Sequence, residues 1–172
     1  MAAFAHAVAA GLVGAGLGVQ VFLSFLVAPA AFRLITDRAV VVQLMEGLFP
    51  GYYRFGIVTT ALALLVVVGL ALVEGRSPLR WGAAALLGLA LAGTIYAGGI
   101  LLPQARAARL RAQAAPAGDL APLEFSRLHR RAVVVNIAVC GVGFLAFVVH
   151  AAGRPRGRTA PGSGPQDLAA RR

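Results

Sequence analysis

Four long apolar runs without a charged residue constrain this chain more than any other feature. They cover residues 1–32, 55–73, 81–105 and 132–153, and each ends at an arginine or a glutamate. A helix needs about 20 apolar residues to cross roughly 30 Å of hydrocarbon. We therefore predict an all-α integral membrane protein, a bundle of four transmembrane helices with both termini on one side. The predicted spans are about residues 5–31, 55–73, 81–102 and 132–151.

Composition argues against a soluble protein. The hydrophobic content of 59% and the mean hydropathy of +0.81 exceed what a soluble surface tolerates. All 16 basic residues are arginines, and with six acids they give a formal charge of +10. They lie between the apolar runs, a placement typical of loops that meet anionic headgroups rather than nucleic acid. We expect membrane lipid as a partner, no nucleic acid, and a bacterial cytoplasmic membrane as the location.

The first connection, residues 33–54, is too long for a tight turn and has a pattern of its own. Asp37 precedes apolar residues at helical spacing, and Pro50-Gly51 follows them. This pattern predicts a short amphipathic helix that lies in the membrane interface and ends at the proline. Its apolar positions are Val41, Leu44, Met45 and Leu48.

The later connections predict different structures. Residues 74–80 contain Ser77-Pro78 and indicate a tight turn. The third helix is expected to continue beyond the membrane and to turn at residues 116–119, and a helix starting near Pro122 then runs into the fourth span. Residues 154–172 have too little apolar content to fold, which predicts a disordered basic tail.

Two further patterns concern helix packing. Gly14 and Gly18 have the spacing that lets helices approach closely in lipid, although a glycine-rich chain offers that spacing by chance as well. Pro29 and Pro103 each follow a span and precede a long helical connection. This weak repeat is compatible with two duplicated hairpins.

The acidic residues limit the chemistry. All six lie in connections or in the tail, so the spans contain no carboxylate. A proton-coupled transporter normally keeps one there, and a site for a hard cation needs oxygen anions. No P-loop, GxSxG or HExxH motif is present, so we expect no enzymatic activity.

Neutral polar residues define a candidate site instead. Asn136 and Cys140 share a stripe of the last helix with His129, and Gln20 and Ser24 follow one another by four on the first. The alternative is that these groups only join helices, at about 0.6 kcal/mol per hydrogen bond. The candidate polar site, opening toward the long connections, comprises Gln20, Ser24, Arg33, Tyr52, Tyr53, Arg54, Thr59, His129 and Asn136.

The histidines permit one metal hypothesis. His129 and His150 are 21 residues apart on one helix, about 31 Å, and cannot share an ion. His6 opens the first span and His150 closes the fourth, so these two share a face of the membrane. We expect them to be surface histidines and the protein to hold no metal or cofactor. The alternative is that His6 and His150 ligate haem or copper.

Two stretches carry a resemblance to a known family. Phe22-Leu23-Ser24-Phe25 through Ala28-Pro29-Ala30-Ala31-Phe32, followed by Leu48 to Arg54, resembles the transmembrane protein 205-like family of four-span domains of unknown function. Phe125-Ser126-Arg127-Leu128-His129 with Asn136 looks like its second signature, and Gln20 also fits. The Arg130-Arg131 pair departs from that pattern. The resemblance implies an architecture and no activity.

Three functional hypotheses remain. The first is a non-enzymatic multi-pass bundle that binds lipid, a protein partner or a small solute on the side of the long connections. The second is a haem- or copper-handling membrane protein. The third is a small oligomeric transporter or channel, with a second copy of the chain as partner, which the glycine-rich spans favour and the missing acids oppose.

Overall fold

The computed structural model describes residues 1–75, 77–116 and 119–153 and contains, in this part of the chain, helices without strands. Each helix is long and apolar enough to cross a membrane, so the predicted all-α four-helix architecture is confirmed. Their lengths of 32 to 37 residues correspond to about 48 to 55 Å, so they also extend beyond the hydrocarbon. The helices are α1 (Ala2–Leu34), α2 (Arg38–Val73), α3 (Pro78–Ala114) and α4 (Ala121–Ala152).

The predicted interfacial helix in the first connection is wrong. The Asp37 carboxylate accepts the Ala39 N–H at 2.8 Å and caps α2, which then runs unbroken through Pro50. Val41 and Met45 are buried against protein, whereas Leu44 and Leu48 remain 41% and 38% exposed, so only half of the predicted apolar face is covered. The segment is therefore the start of α2.

The other two connections agree with the predictions made from the sequence. Gly75, with φ of +91°, turns the chain between α2 and α3, which confirms the tight turn. The continuation of α3 beyond its span, and a start of α4 with Pro122 in its first turn, are also confirmed. Part of the predicted 116–119 turn and the whole predicted tail, 154–172, lie outside the described residues.

A widened helical turn occurs at equivalent places in α1 and α3. The π-helical segments are Phe22–Val27 and Ala97–Leu101, and each ends two residues before a proline, Pro29 or Pro103. A proline has no N–H and its ring clashes with the carbonyl four residues earlier, and the wider turn accommodates both effects. The weak sequence repeat therefore has a counterpart in the backbone.

The four helices close into a ring, in which each helix packs on its chain neighbours and α1 packs on α4. We call the end with the α2–α3 turn the short-turn end, and the opposite end the long-connection end. Small side chains fill the half of the interior toward the short-turn end, which lets the helices approach closely. The buried residues there are Ala9, Val13, Ala63, Val67, Ala83, Ala84, Leu87 and Ala146.

Candidate functional site

Tyr53 and Asn136 are the members of the predicted polar site that bond directly to each other. The Asn136 Nδ2–H donates to the Tyr53 hydroxyl oxygen at 3.1 Å, and that hydroxyl lies 3.4 Å from Asn136 Oδ1. Tyr53 is buried on α2 and Asn136 is half-buried on α4. The pair therefore joins two helices across the interior of the bundle.

Removing the Tyr53 hydroxyl tests what this contact contributes. We expect Tyr53→Phe to lower the free energy of unfolding by about 0.6 kcal/mol, the mean for interhelical hydrogen bonds in a membrane. Unfolding in mixed micelles of mild detergent and dodecyl sulfate measures it. Tyr96→Phe is the control, because Tyr96 packs under the Arg131 guanidinium and makes no hydrogen bond among the described residues. A loss above about 2 kcal/mol would mean that the hydroxyl does more than join two helices.

A second polar feature is the hydroxyl of Tyr52, which lies close to Gln20 and Ser24. The Tyr52 hydroxyl is buried close to the Gln20 and Ser24 side chains, but it completes a well-formed hydrogen bond with no group in the described part of the chain. Tyr52 and Gln20 line a cavity of about 30 Å³ with Thr60 and Thr94. That is room for roughly one or two water molecules, which the polar groups could hold.

The remaining predicted site residues lie elsewhere. Arg33, Arg54 and His129 are exposed, so they do not line this cavity. Arg54 is two residues after Tyr52, and about 100° of helical rotation per residue turns it to the outer face. Thr59 is buried, but its hydroxyl donates to the Phe55 carbonyl of its own helix at 2.9 Å.

A buried polar cluster closes the short-turn end, and every helix or its end contributes one residue. We call it the His-Glu-Arg cluster: His6 from α1, Glu74 just after α2, Arg80 from α3 and His150 from α4. The His6 Nε2–H donates to Glu74 Oε2 at 3.2 Å, and Arg80 Nη2 donates to the same oxygen at 2.7 Å. His6 Nδ1 lies 3.5 Å from His150 Nε2.

Burial makes this cluster unusual for the end of a membrane helix. The exposed fraction is 5% for His6, 3% for His150 and 7% for Arg80. The expectation that both histidines lie on the surface is therefore wrong, because the four helix ends converge there. The sequence contained the signal: both histidines and the Glu74–Arg80 turn fall at the same end of the predicted bundle.

The long-connection end is basic. Nine arginines and four acids lie in its two connections and the adjoining helix ends, which gives a net charge of +5. Two acids are paired there: Glu46 accepts from Arg109 and lies 3.4 Å from Arg106 Nε, and Glu124 holds Arg111 through two bonds of 2.9 and 3.1 Å. Arg33, Arg54, Arg127 and Arg130 are exposed at the same end.

An open groove of about 360 Å³ runs along α3 at this end. Arg106 provides its charge, and 53% of that side chain is exposed although its Nε faces Glu46. The groove begins at the widened turn and extends along the segment that follows Pro103. Its walls are otherwise apolar: Gly98, Leu102, Pro103, Ala107 and Leu110.

A comparison with protein families gives a match over three of the four helices. A family described as a domain of unknown function (DUF4149) matches residues 11–114, which is more than half of the chain. The match includes most of α1 and all of α2 and α3, whereas α4 with Asn136 and His150 lies beyond it. No curated protein and no solved structure matches the chain.

Proposed function

The chain belongs to the DUF4149 family of domains of unknown function, and we propose that it is a non-enzymatic membrane protein that binds an anionic phospholipid at its long-connection end. The groove on α3 carries this proposal. It combines an apolar trough with one arginine at the level where the hydrocarbon ends. A lipid has the same two parts, an acyl chain and a charged phosphate.

The position of Arg106 supports this assignment. It is the first charged residue after the apolar run 81–105, so its guanidinium lies at headgroup depth while Leu102 and Pro103 lie within reach of acyl chains. Glu46 faces the Nε, which leaves the exposed part of the guanidinium for a phosphate.

The surrounding charge favours an anionic lipid over a zwitterionic one. The net charge of +5 at this end attracts headgroups that carry a net negative charge. Each basic residue near a membrane surface contributes about 1 kcal/mol to that attraction. The arginines attract anionic lipids to this end, and the groove then binds one of them.

The test is lipid binding by the full chain in mild detergent, followed by native mass spectrometry with added phosphatidylglycerol or phosphatidylcholine. We expect Arg106→Gln to weaken the binding of one phosphatidylglycerol at least about tenfold, because it removes a charge-assisted hydrogen bond to the phosphate in addition to the general attraction of about 1 kcal/mol per arginine. Ala107→Trp keeps the charge and fills the groove, and it should weaken binding as well. Arg127→Gln is the matched control, since it removes an exposed arginine of the same end that does not line the groove.

The outcomes separate a site from general attraction. Equal losses in Arg106→Gln and Arg127→Gln, with no effect of Ala107→Trp, would contradict a groove site and leave only a charged surface. Equal binding of phosphatidylcholine and phosphatidylglycerol by the unaltered chain would contradict the selection by charge.

Two narrower assignments accompany this proposal. We infer a bacterial cytoplasmic membrane as the location, from the bias toward arginine, alanine and glycine. We also infer a relationship to the transmembrane protein 205-like family, which rests on the stretches from Phe22 to Phe32 and from Leu48 to Arg54.

A further inference from the structure

We propose that His6 Nδ1 and His150 Nε2 form a two-coordinate binding site for a soft monovalent metal ion, Cu(I) in a cell. This site lies at the short-turn end and is independent of the lipid groove at the opposite end. The two nitrogens face each other at 3.5 Å in a buried environment.

The distance between the two nitrogens suits a linear site. A metal–imidazole bond is about 2 Å long, so an ion between two such ligands holds their nitrogens about 4 Å apart. The observed 3.5 Å needs only a small opening of the pair. The ring centroids lie 5.1 Å apart and the ring planes are tilted by 38°, so the imidazoles are not stacked face to face.

Glu74 prepares His6 as a ligand. Because the carboxylate accepts the Nε2–H, the other nitrogen of His6, Nδ1, carries the lone pair and accepts the His150 Nε2–H. The ion replaces this hydrogen bond when the proton of His150 moves to its own Nδ1, so that both histidines ligate as neutral imidazoles. Arg80 holds the carboxylate from the other side at 2.7 Å. A carboxylate that orients a histidine and raises its basicity is a frequent partner of metal ligands.

The number and charge of the ligands decide which ion fits. Among the described residues, no group of three histidine, cysteine or acidic side chains converges on a point. Zinc in proteins takes four ligands, and calcium takes six to eight oxygens. The one carboxylate present is already paired with Arg80, so a divalent ion would bring two charges that no ligand offsets. A monovalent d¹⁰ ion is stable with two neutral nitrogens.

Haem does not suit these histidines. A porphyrin with two axial ligands must lie between the two rings, which here approach to 3.5 Å. Both residues are at least 95% buried, so a macrocycle would force α1 and α4 apart. A bare ion requires no such separation.

The site lies near one end of the bundle. His6 lies in the second turn of α1, and His150 is two residues from the end of α4. The site is therefore close to the water at the short-turn end.

The experiment is an anaerobic titration of the full chain in mild detergent with Cu(I), in competition with a chromophoric Cu(I) chelator. A Cys140→Ser background removes the free thiol, which is itself a ligand for soft metals. We expect one Cu(I) per chain in this background. His6→Asn and His150→Asn should each weaken binding at least tenfold, and His129→Asn, an exposed histidine at the other end, should not change it.

An absorption spectrum at the copper K-edge tests the same site without relying on the histidine variants. It should show two nitrogen neighbours at about 2 Å and no sulfur. Cu(I) binding that is unchanged in the His6→Asn/His150→Asn double variant, or a chain that takes up no Cu(I), would overturn the proposal. Thermal unfolding of each variant without metal shows whether it has kept its fold.

Discussion

Glu74→Leu is expected to destabilise the bundle by about 3–5 kcal/mol, the range measured when one partner of a buried ion pair is removed. The Arg80 side chain is 8% exposed and donates to Glu74 Oε2 at 2.7 Å. Without the carboxylate, the guanidinium stays buried without its counter-charge, and the His6 Nε2–H loses its acceptor. Unfolding in mixed micelles of mild detergent and dodecyl sulfate measures the change.

A double variant separates two causes of this destabilisation. One is the lost attraction between the two charges, and the other is the cost of leaving the Arg80 guanidinium buried without a counter-charge. Glu74→Leu combined with Arg80→Leu removes both charges, and replacing a whole buried pair by apolar residues is often neutral. We therefore expect the double variant to recover most of the loss. Glu124→Leu is the matched control, because its partner Arg111 is 60% exposed, and the expected loss there is below about 1 kcal/mol. Equal losses in Glu74→Leu and Glu124→Leu would contradict the burial argument.

The same residues show what the sequence predicts and what it does not. Glu74 and Arg80 marked the ends of two apolar runs, which was enough to locate the turn and both helices. A boundary charge normally faces water, so the sequence favours exposure for both. The burial of Arg80 and the partial burial of Glu74 come from the approach of four helix ends, and no local pattern encodes that approach.

The start of α2 is a second example. Val41 and Met45 have the spacing of an amphipathic helix, and that spacing does not say whether the apolar face lies on lipid or on protein. The structure buries both residues and continues the helix through Pro50. The choice depends on the extension of α3 beyond its span, from which Arg106 and Arg109 reach Glu46 in this segment.

The sequence also did not predict which glycines lie against a neighbouring helix. Gly14 and Gly18 have the spacing of a close helix contact, yet a Cβ on either would meet no atom within 4 Å. Gly98, which no motif marks, lies against Tyr53. In a chain with 21 glycines, spacing alone does not single out those that face a neighbouring helix, which include Gly16 and Gly93 as well as Gly98.

Gly98→Ala is the second substitution with a large expected effect. An added Cβ would lie 2.8 Å from both Cβ and Cγ of Tyr53, atoms close to the α2 backbone that cannot rotate away. Relief requires α2 and α3 to separate, which also strains the Tyr53–Asn136 contact. Overpacking of this kind costs about 1–3 kcal/mol, and unfolding in mixed micelles is the measurement.

Gly99→Ala is the control, since it makes the same chemical change one residue later in the same widened turn. A Cβ at Gly99 meets no atom within 4 Å, so this variant lacks the clash. Alanine favours a helix over glycine by up to about 1 kcal/mol, and Gly99→Ala should therefore be neutral or slightly stabilising. If Gly98→Ala were as stable as Gly99→Ala, the close approach of α2 and α3 at Tyr53 would be refuted. If only Gly98→Ala lowers the free energy of unfolding, the close approach of the two helices is the cause. Helix propensity and backbone geometry cannot be, because they are the same in both variants.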